Sequence, residues 1–169
     1  MSDDTIGLTE SGPTWTVAPG YPRVRLWPQS AKALAEGKGR SALLPPGESG
    51  STNRYHLDLT SRGFQFQREA LPLGLVYLLE ESPAGSATVA EPLTPLEGLM
   101  ALVGNSFASS ILDKQMRARE FEVLGRLVER VPIRRLARPT DLVHLTEFCE
   151  SVLDDLASLG LAPSIAHAR

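Results

Sequence analysis

Two adjacent carboxylates and two alternating guanidinium groups lie near the start of this sequence, at Asp3, Asp4, Arg23 and Arg25. Adjacent aspartates can divide the work of holding a divalent metal and accepting a proton, which phosphoryl transfer requires. Alternate arginines on a strand present two guanidinium forks on one face, and those forks match phosphate oxygens. These residue types therefore indicate chemistry on a phosphate group. The alternatives are a solvated terminus for the aspartates and a charged edge strand for the arginines.

Further arginines are candidates to extend such a site. Arg54 joins the first pair from the polar face of another predicted strand. A further group lies around a proline-bounded strand and consists of Arg134, Arg135 and Arg138, with Arg130 just upstream. Their density could build a site for an acidic substrate or a nucleotide. A solvated basic face that pairs with nearby acidic residues is the alternative, and surface pairs of that kind contribute little to stability.

The remaining chemistry-bearing residues form no recognisable motif. Pro46–Thr52 has the glycines and hydroxyls of a phosphate-binding loop but no Gly-Lys before its Ser-Thr pair, so we interpret it as a flexible linker. His56, His144 and His167 lack the spacing of a zinc site or a Ser-His-Asp triad. Cys149 is interpreted as a small core or boundary residue rather than a nucleophile.

Composition limits the class of protein. With 169 residues and 42% hydrophobic content, the chain can bury one ordinary core, so we expect a single domain over residues 1–162 and a loose tail over 163–169. Seventeen basic and twenty acidic residues give a net charge of −3, which favours neither nucleic acid nor a membrane surface as a partner. The sequence has no signal peptide or membrane-spanning apolar run, and its single cysteine excludes an internal disulfide. We therefore expect a soluble, cytoplasmic protein.

The first half of the chain has the pattern of β-structure and loops. Short alternating runs separated by Gly and Pro predict strands at Ile6–Leu8, Thr14–Val17, Arg23–Leu26 and Arg54–Leu59. A helix is predicted over Ser30–Glu36, followed by a mobile loop over Gly37–Asn53. Leu71–Leu79 consists almost entirely of hydrophobic residues and predicts a central strand buried on both faces.

The second half changes to the helical period. Thr94 and Glu97 form a capping box at the start of a helix, whose apolar stripe is Leu96, Leu99, Met100, Val103, Phe107 and Ile111. The next helix begins near Asp113, with Phe121, Leu124, Val128 and Val131 facing inward. A short strand is predicted over Pro132–Leu136 and a last helix over Pro139–Leu159, stopped by Gly160. The fold class is therefore α/β or α+β with a mixed sheet, a β-rich first half and a helical second half.

Four runs of this sequence resemble the HPr serine kinase-like family: the Asp3-Asp4 pair, Pro19–Pro28, Leu71–Glu80 and Val131–Asp141. The resemblance implies the C-terminal part of the nucleotide-binding core shared by HPr kinases and phosphoenolpyruvate carboxykinases. It also implies transfer of a phosphoryl group from ATP, with Mg²⁺, to a serine of a protein or peptide. The residues to which it assigns roles are Asp3 and Asp4 as base and metal pair, and Arg23, Arg25, Arg54, Arg135 and Arg138 as contacts to phosphate or substrate.

One departure from that family separates the possible functions. In the family the aspartate pair follows a phosphate-binding loop, whereas this chain begins at the aspartates. One hypothesis is a serine kinase fragment that is inactive alone and needs an upstream segment. The other is a non-catalytic adaptor whose arginine-lined face binds a peptide or a phosphorylated partner. A third outcome is poor folding, because a shortened first strand leaves an unpaired sheet edge that a homo-oligomer would have to cover.

Overall fold

The computed structural model describes residues 4–36, 43–44, 55–60, 66–83, 88–107 and 109–161. The chain divides into two compact units, Met1–Leu73 and Gly74–Arg169. Each unit contains its own strands and helices, so each is described by itself. The content is mixed α and β, which confirms the predicted fold class. No helix among the described residues is both long and apolar enough to cross a membrane.

The described residues of the first unit form two three-stranded antiparallel sheets and one helix. Its elements are β1 (Leu8–Ser11), β2 (Thr14–Val17), β3 (Arg23–Leu26), α1 (Pro28–Glu36), β4 (Leu43–Leu44), β5 (Tyr55–Asp58) and β6 (Leu71–Pro72). One sheet has the order β1-β2-β6 and the other has the order β3-β5-β4. The alternating pattern in this half of the sequence therefore predicts β-strands correctly. It does not predict which strands pair with one another.

A tight hairpin joins β1 to β2. Ser11 pairs with Thr14, and Gly12 between them has a φ of 60°, a conformation that glycine adopts without strain. This turn sets the register so that Trp15 and Val17 of β2 are buried, at 2% and 8% exposure. The predicted strand Ile6–Leu8 lies too early in the chain, because pairing around the turn makes β1 run from Leu8 to Ser11.

The second sheet of this unit carries the predicted alternation. In β3, Arg23 and Arg25 are exposed while Val24 and Leu26 are half-buried, as predicted for Arg23–Leu26. The partner strand β5 buries Leu57 at 8% exposure. The backbone N–H of Leu59 also donates to the carbonyl of Pro22 at 2.9 Å, which fastens the end of the pair.

The second unit is a mixed three-stranded sheet with helices on both faces. Its elements are β7 (Val76–Ser82), β8 (Ala90–Pro92), α2 (Pro95–Gly104), a 3₁₀ turn (Ser109–Ile111), α3 (Lys114–Val128), β9 (Ile133–Pro139) and α4 (Leu145–Ser158). The sheet has the order β7-β9-β8, with β7 parallel and β8 antiparallel to β9. The predicted mixed sheet is confirmed in this unit.

The central strand of this sheet is β9, so the prediction that Leu71–Leu79 is central was wrong. That segment divides between β6 and the first residues of β7, and Leu79 is 54% exposed. Within the described residues β7 pairs with β9 alone and forms an edge. In β9, by contrast, Ile133 and Leu136 are buried at 5% and 1% exposure. A continuous apolar run indicates burial but does not say which strand receives partners on both sides.

Helix ends in the second unit follow local sequence signals. Thr94 donates its backbone N–H to Glu97 Oε2 at 2.9 Å and accepts from the Glu97 N–H, which confirms the capping box. Gly160 has a φ of 69°, and its N–H bonds the Ala157 carbonyl while the next N–H bonds the carbonyl of Leu156. This arrangement is a Schellman motif and confirms the predicted stop of α4.

Two details of the helices differ from the prediction. The last helix begins at Leu145 rather than Pro139, because β9 pairs with β7 as far as Pro139 and Asp141 then holds a turn by accepting from Val143 and His144. Cys149 on this helix is exposed, whereas the sequence predicted a core or boundary residue. In α3 the fully buried residue is Leu127, which the sequence prediction missed.

Candidate functional site

An open depression of about 840 Å³ lies beside β3 in the first unit. It is lined by Asp4, Thr5, Gly20, Tyr21, Pro22, Arg23, Arg25 and His56. The two arginines come from one face of β3, and His56 lies opposite Arg25 in the register with β5. Directly opposed residues of an antiparallel pair lie on the same face of the sheet. The fold therefore brings two guanidinium groups and an imidazole to one concave surface.

Arg25 is already engaged with a carboxylate. Its Nη2 forms an ion pair with Oδ2 of Asp4, and the two side chains are 48% and 50% exposed. An ion pair this accessible to water contributes little to stability, since water and salt screen it. A phosphate group entering the depression would therefore compete with Asp4 for Arg25 at low cost.

Arg23 lies opposite Asp58 in the strand register. Asp58 accepts from the Thr60 hydroxyl at 2.7 Å and from the Thr60 N–H at 2.8 Å. These bonds, the side-chain one first, hold the pKa of Asp58 below its ordinary value, and the charge of Arg23 adds a smaller contribution. Asp58 is thus held by the turn that ends β5, while the exposed Arg23 side chain lines the depression.

His56 and Tyr21 are site residues that the sequence prediction did not select. His56 is half-buried, and its buried Nδ1 has no hydrogen-bond partner among the described residues. Tyr21 is 85% exposed at the border of the depression. The alternation of Tyr55–Asp58 places His56 on a polar face, but only the strand register shows that this face adjoins Arg25.

The described residues suit an anion better than Mg²⁺. Asp4 is paired with Arg25, whose positive charge disfavours a cation at the same carboxylate. No group of three or more His, Cys, Asp or Glu side chains is positioned for a metal ion within the part of the chain that is described. Asp3 and Arg54 lie outside the described residues, so their assigned roles stay predictions.

Arg135 and Arg138 do not form a joint site in the second unit. They lie three residues apart in β9 and therefore on opposite faces of the sheet. Arg135 Nε bonds Glu80 Oε1 at 2.9 Å, and Arg138 Nη2 bonds Glu81 Oε1 at 2.5 Å. Each predicted arginine is thus engaged with a glutamate of the neighbouring strand.

Arg134, in the same strand, is mostly buried. Its Nη2 donates to Asp155 Oδ1 and to the Ala90 carbonyl, both at 2.8 Å, and the Arg134 and Asp155 side chains are 15% and 12% exposed. The Tyr77 hydroxyl donates to Asp155 Oδ2 at 2.5 Å. Burial and then this hydrogen bond raise the pKa of Tyr77 to about 12. The group ties α4 to the sheet, and its polar atoms are largely occupied by one another, so we assign it a structural role.

Comparison of the chain with protein families, curated proteins and solved structures gave no match. The resemblance to the HPr serine kinase-like family therefore stays a prediction, and the function has to be argued from the geometry of the depression.

Proposed function

We propose that the first unit binds a phosphorylated segment of a protein or peptide in the depression beside β3. The observation that carries the proposal is the convergence of Arg23, Arg25 and His56 from two paired strands on one concave surface. This corresponds to the adaptor hypothesis, now limited to one face of one unit.

The chemistry of these side chains suits a phosphate dianion. Guanidinium groups donate charge-assisted hydrogen bonds to phosphate oxygens, and two of them on alternate strand positions can engage different oxygens of the same group. His56 adds a donor, and a positive charge when protonated. Tyr21 offers an exposed aromatic ring to the rest of a bound peptide, in the way that aromatic side chains anchor interfaces.

The test is calorimetric titration of the whole chain with a phosphoserine peptide and with the same peptide unphosphorylated. We expect binding of the phosphorylated form only, and a loss of about tenfold or more in Arg23→Ala, because a hydrogen bond to a charged group contributes about 1.5–3 kcal/mol. Arg138→Ala is the matched control, since it removes an exposed strand arginine from the other unit. Equal affinity for both peptides, or equal losses in both variants, would overturn the proposal.

A second candidate is the serine kinase activity that the resemblance implies, with ATP and Mg²⁺ as cofactors. The observation that favours it is the position of Asp4 at the same depression as the arginines. This candidate needs a phosphate-binding loop, and Pro46–Thr52 lacks the required lysine. Titration with Mg-ATP distinguishes the two: micromolar binding of Mg-ATP together with transfer to a serine peptide supports the kinase. A cytoplasmic location accords with both candidates.

A further inference from the structure

The two edge strands of the sheet in the second unit, β8 and β7, differ in what they offer to another strand. β8 has three residues and ends at Pro92, which has no backbone N–H. β7 has seven residues, from Val76 to Ser82, and contains no proline. Natural sheets often block their edges with short strands and with proline, because an open edge is a template for further pairing. β8 is blocked in this way, whereas β7 is not.

Alternate residues of β7 direct their backbone groups away from β9. The N–H of Val76 donates to the carbonyl of Pro132 at 3.1 Å, which fixes which residues of β7 face β9. Since backbone groups point to opposite sides at successive residues of a strand, those of Tyr77, Leu79 and Glu81 face the outer edge. Among the residues that the structure describes, no backbone hydrogen bond uses these outward groups.

The outward groups of β7 match those of a second copy in one register. In an antiparallel pair centred on Leu79, this residue faces Leu79 of the second copy, and Tyr77 faces Glu81 of the second copy. Each such pair exchanges two backbone hydrogen bonds, so every outward N–H and C=O finds a partner. Moving the centre by one residue to Glu80 would leave Tyr77 unpaired and would place two Glu80 carboxylates opposite each other, which is destabilising.

The centre of this edge is apolar and exposed. Leu79 is 54% exposed, although its register partner in β9, Leu136, is only 1% exposed. A second copy paired about Leu79 places the two Leu79 side chains directly opposite each other. Directly opposed apolar side chains stabilise antiparallel strands. The pairing therefore continues the row formed by Leu136 and Leu79 into the second copy.

The charges of β7 do not oppose this pairing. Glu80 bonds Arg135 at 2.9 Å and Glu81 bonds Arg138 at 2.5 Å, so each carboxylate is compensated by an arginine of β9. Uncompensated charges along an edge would repel a second copy. In the register centred on Leu79, each glutamate also faces an uncharged residue of the second copy. The edge therefore accepts a second copy without direct contact between like charges.

We propose that two copies of this chain pair through β7, antiparallel about Leu79, and join their sheets into one continuous sheet. A two-fold axis beside Leu79 relates the copies, and the same strand serves both partners. The association does not rest on the depression in the first unit.

The first test is the molar mass of the full chain in solution, measured by light scattering and by sedimentation over a wide range of concentration. We expect twice the chain mass for the unmodified protein. Leu79→Lys places two positive charges at the axis and should weaken self-association by at least about tenfold. Val89→Lys is the matched control and should remain dimeric, because it changes an exposed apolar residue beside β8. A monomeric unmodified chain at all concentrations would contradict the proposal, as would a dimer that Leu79→Lys leaves intact.

A second measurement needs no variant and therefore does not depend on how Leu79→Lys folds. Amide hydrogen exchange, followed by NMR above and below the dissociation concentration, separates the two sides of β7. We expect the amides of Tyr77, Leu79 and Glu81 to exchange slowly in the dimer and rapidly in the monomer. Those of Leu78 and Glu80 face β9 and should exchange slowly in both states. Rapid exchange of the outward amides in the dimer would refute pairing through β7. Their protection in the monomer would refute it too, because the edge would then be covered within one copy.

Discussion

The arginines of the two units differ in what surrounds them. In the first unit, Arg23 and Arg25 line an open depression, and Arg25 forms an exposed ion pair with Asp4. In the second unit, Arg135 and Arg138 are each bonded to a glutamate of the adjacent strand. Basic residues at close spacing along one strand are the same kind of pattern in both cases. What differs is the face: Arg23 and Arg25 lie on one face of β3 at a concave surface, whereas Arg135 and Arg138 lie on opposite faces of β9.

This difference also separates binding from stability. Arg134 is enclosed with Asp155 and Tyr77, so its charge contributes to the integrity of the second unit. The arginines of the depression are solvent-accessible, so their removal should leave the fold intact. Substitution of Arg23 should therefore weaken binding and leave stability unchanged, whereas substitution of Asp155 beside Arg134 should lower stability.

The largest expected effect is a loss of stability when the group of Arg134, Asp155 and Tyr77 is broken. Asp155→Ala leaves the Arg134 charge and the Tyr77 hydroxyl without their carboxylate in a mostly buried position and should lower the free energy of unfolding by about 2–4 kcal/mol. Urea denaturation measures the change. The exposed neighbour Asp154→Ala is the control, expected within about 0.5 kcal/mol. Equal midpoints for both variants would mean that the enclosed arginine is no more important than the exposed ones.

Tyr77 of the same group should make the unfolding free energy depend on pH in the alkaline range. The folded-state pKa of Tyr77 is about 12, against an ordinary value of 10.0. The folded state therefore favours the protonated phenol, and the contribution of this group to the unfolding free energy is complete below pH 10. As pH rises from 10 to 12 the unfolded state loses this proton first, so stability falls across that window. Unfolding free energy measured against pH should fall less steeply across this window in Tyr77→Phe than in the unmodified protein.

Features that depend on a few neighbouring residues could be predicted from the sequence. The capping box of Thr94 and Glu97 and the stop at Gly160 need only local geometry, and both are confirmed. The exposed face of Arg23 and Arg25 follows from strict alternation in the same way. This part of the candidate site therefore follows from the order of residues along one strand.

Features that depend on long-range pairing could not be predicted. The position of His56 opposite Arg25 requires the register of β3 with β5, which no local pattern contains. The choice of Arg134 rather than Arg135 as the buried arginine depends on which face of β9 is covered by α4. The apolar stripe predicted from Leu96 to Ile111 is only partly a helix face, because α2 ends at Gly104 and Phe107 and Ile111 lie beyond it. Within α2, periodicity alone does not tell the sheet side from the solvent side, and Leu96 and Met100 are exposed.

A smaller effect should follow from removing the charge of Asp4, which competes with the ligand for Arg25. Asp4→Asn releases Arg25 from its ion pair and should tighten binding of the phosphoserine peptide by about twofold to fivefold, the range expected for an exposed pair. The calorimetric titration that tests the proposed function measures it. Asp154→Asn changes net charge equally at a helix of the other unit and should leave the affinity unchanged. Weaker binding in Asp4→Asn would indicate instead that Asp4 itself contacts the ligand.

The smallest effects are expected at the paired arginines of β9. Their side chains are 40% exposed and their glutamate partners are 51% and 67% exposed. Arg135→Ala and Arg138→Ala should therefore each change the unfolding free energy by less than about 0.5 kcal/mol. Both substitutions replace arginine by alanine in the same strand, so the change in strand propensity is the same in both variants. A difference between the two variants therefore reports a difference between the two ion pairs. A loss above about 1 kcal/mol in either variant, in urea denaturation, would mean that pairing with glutamate gives these arginines a structural role despite their exposure.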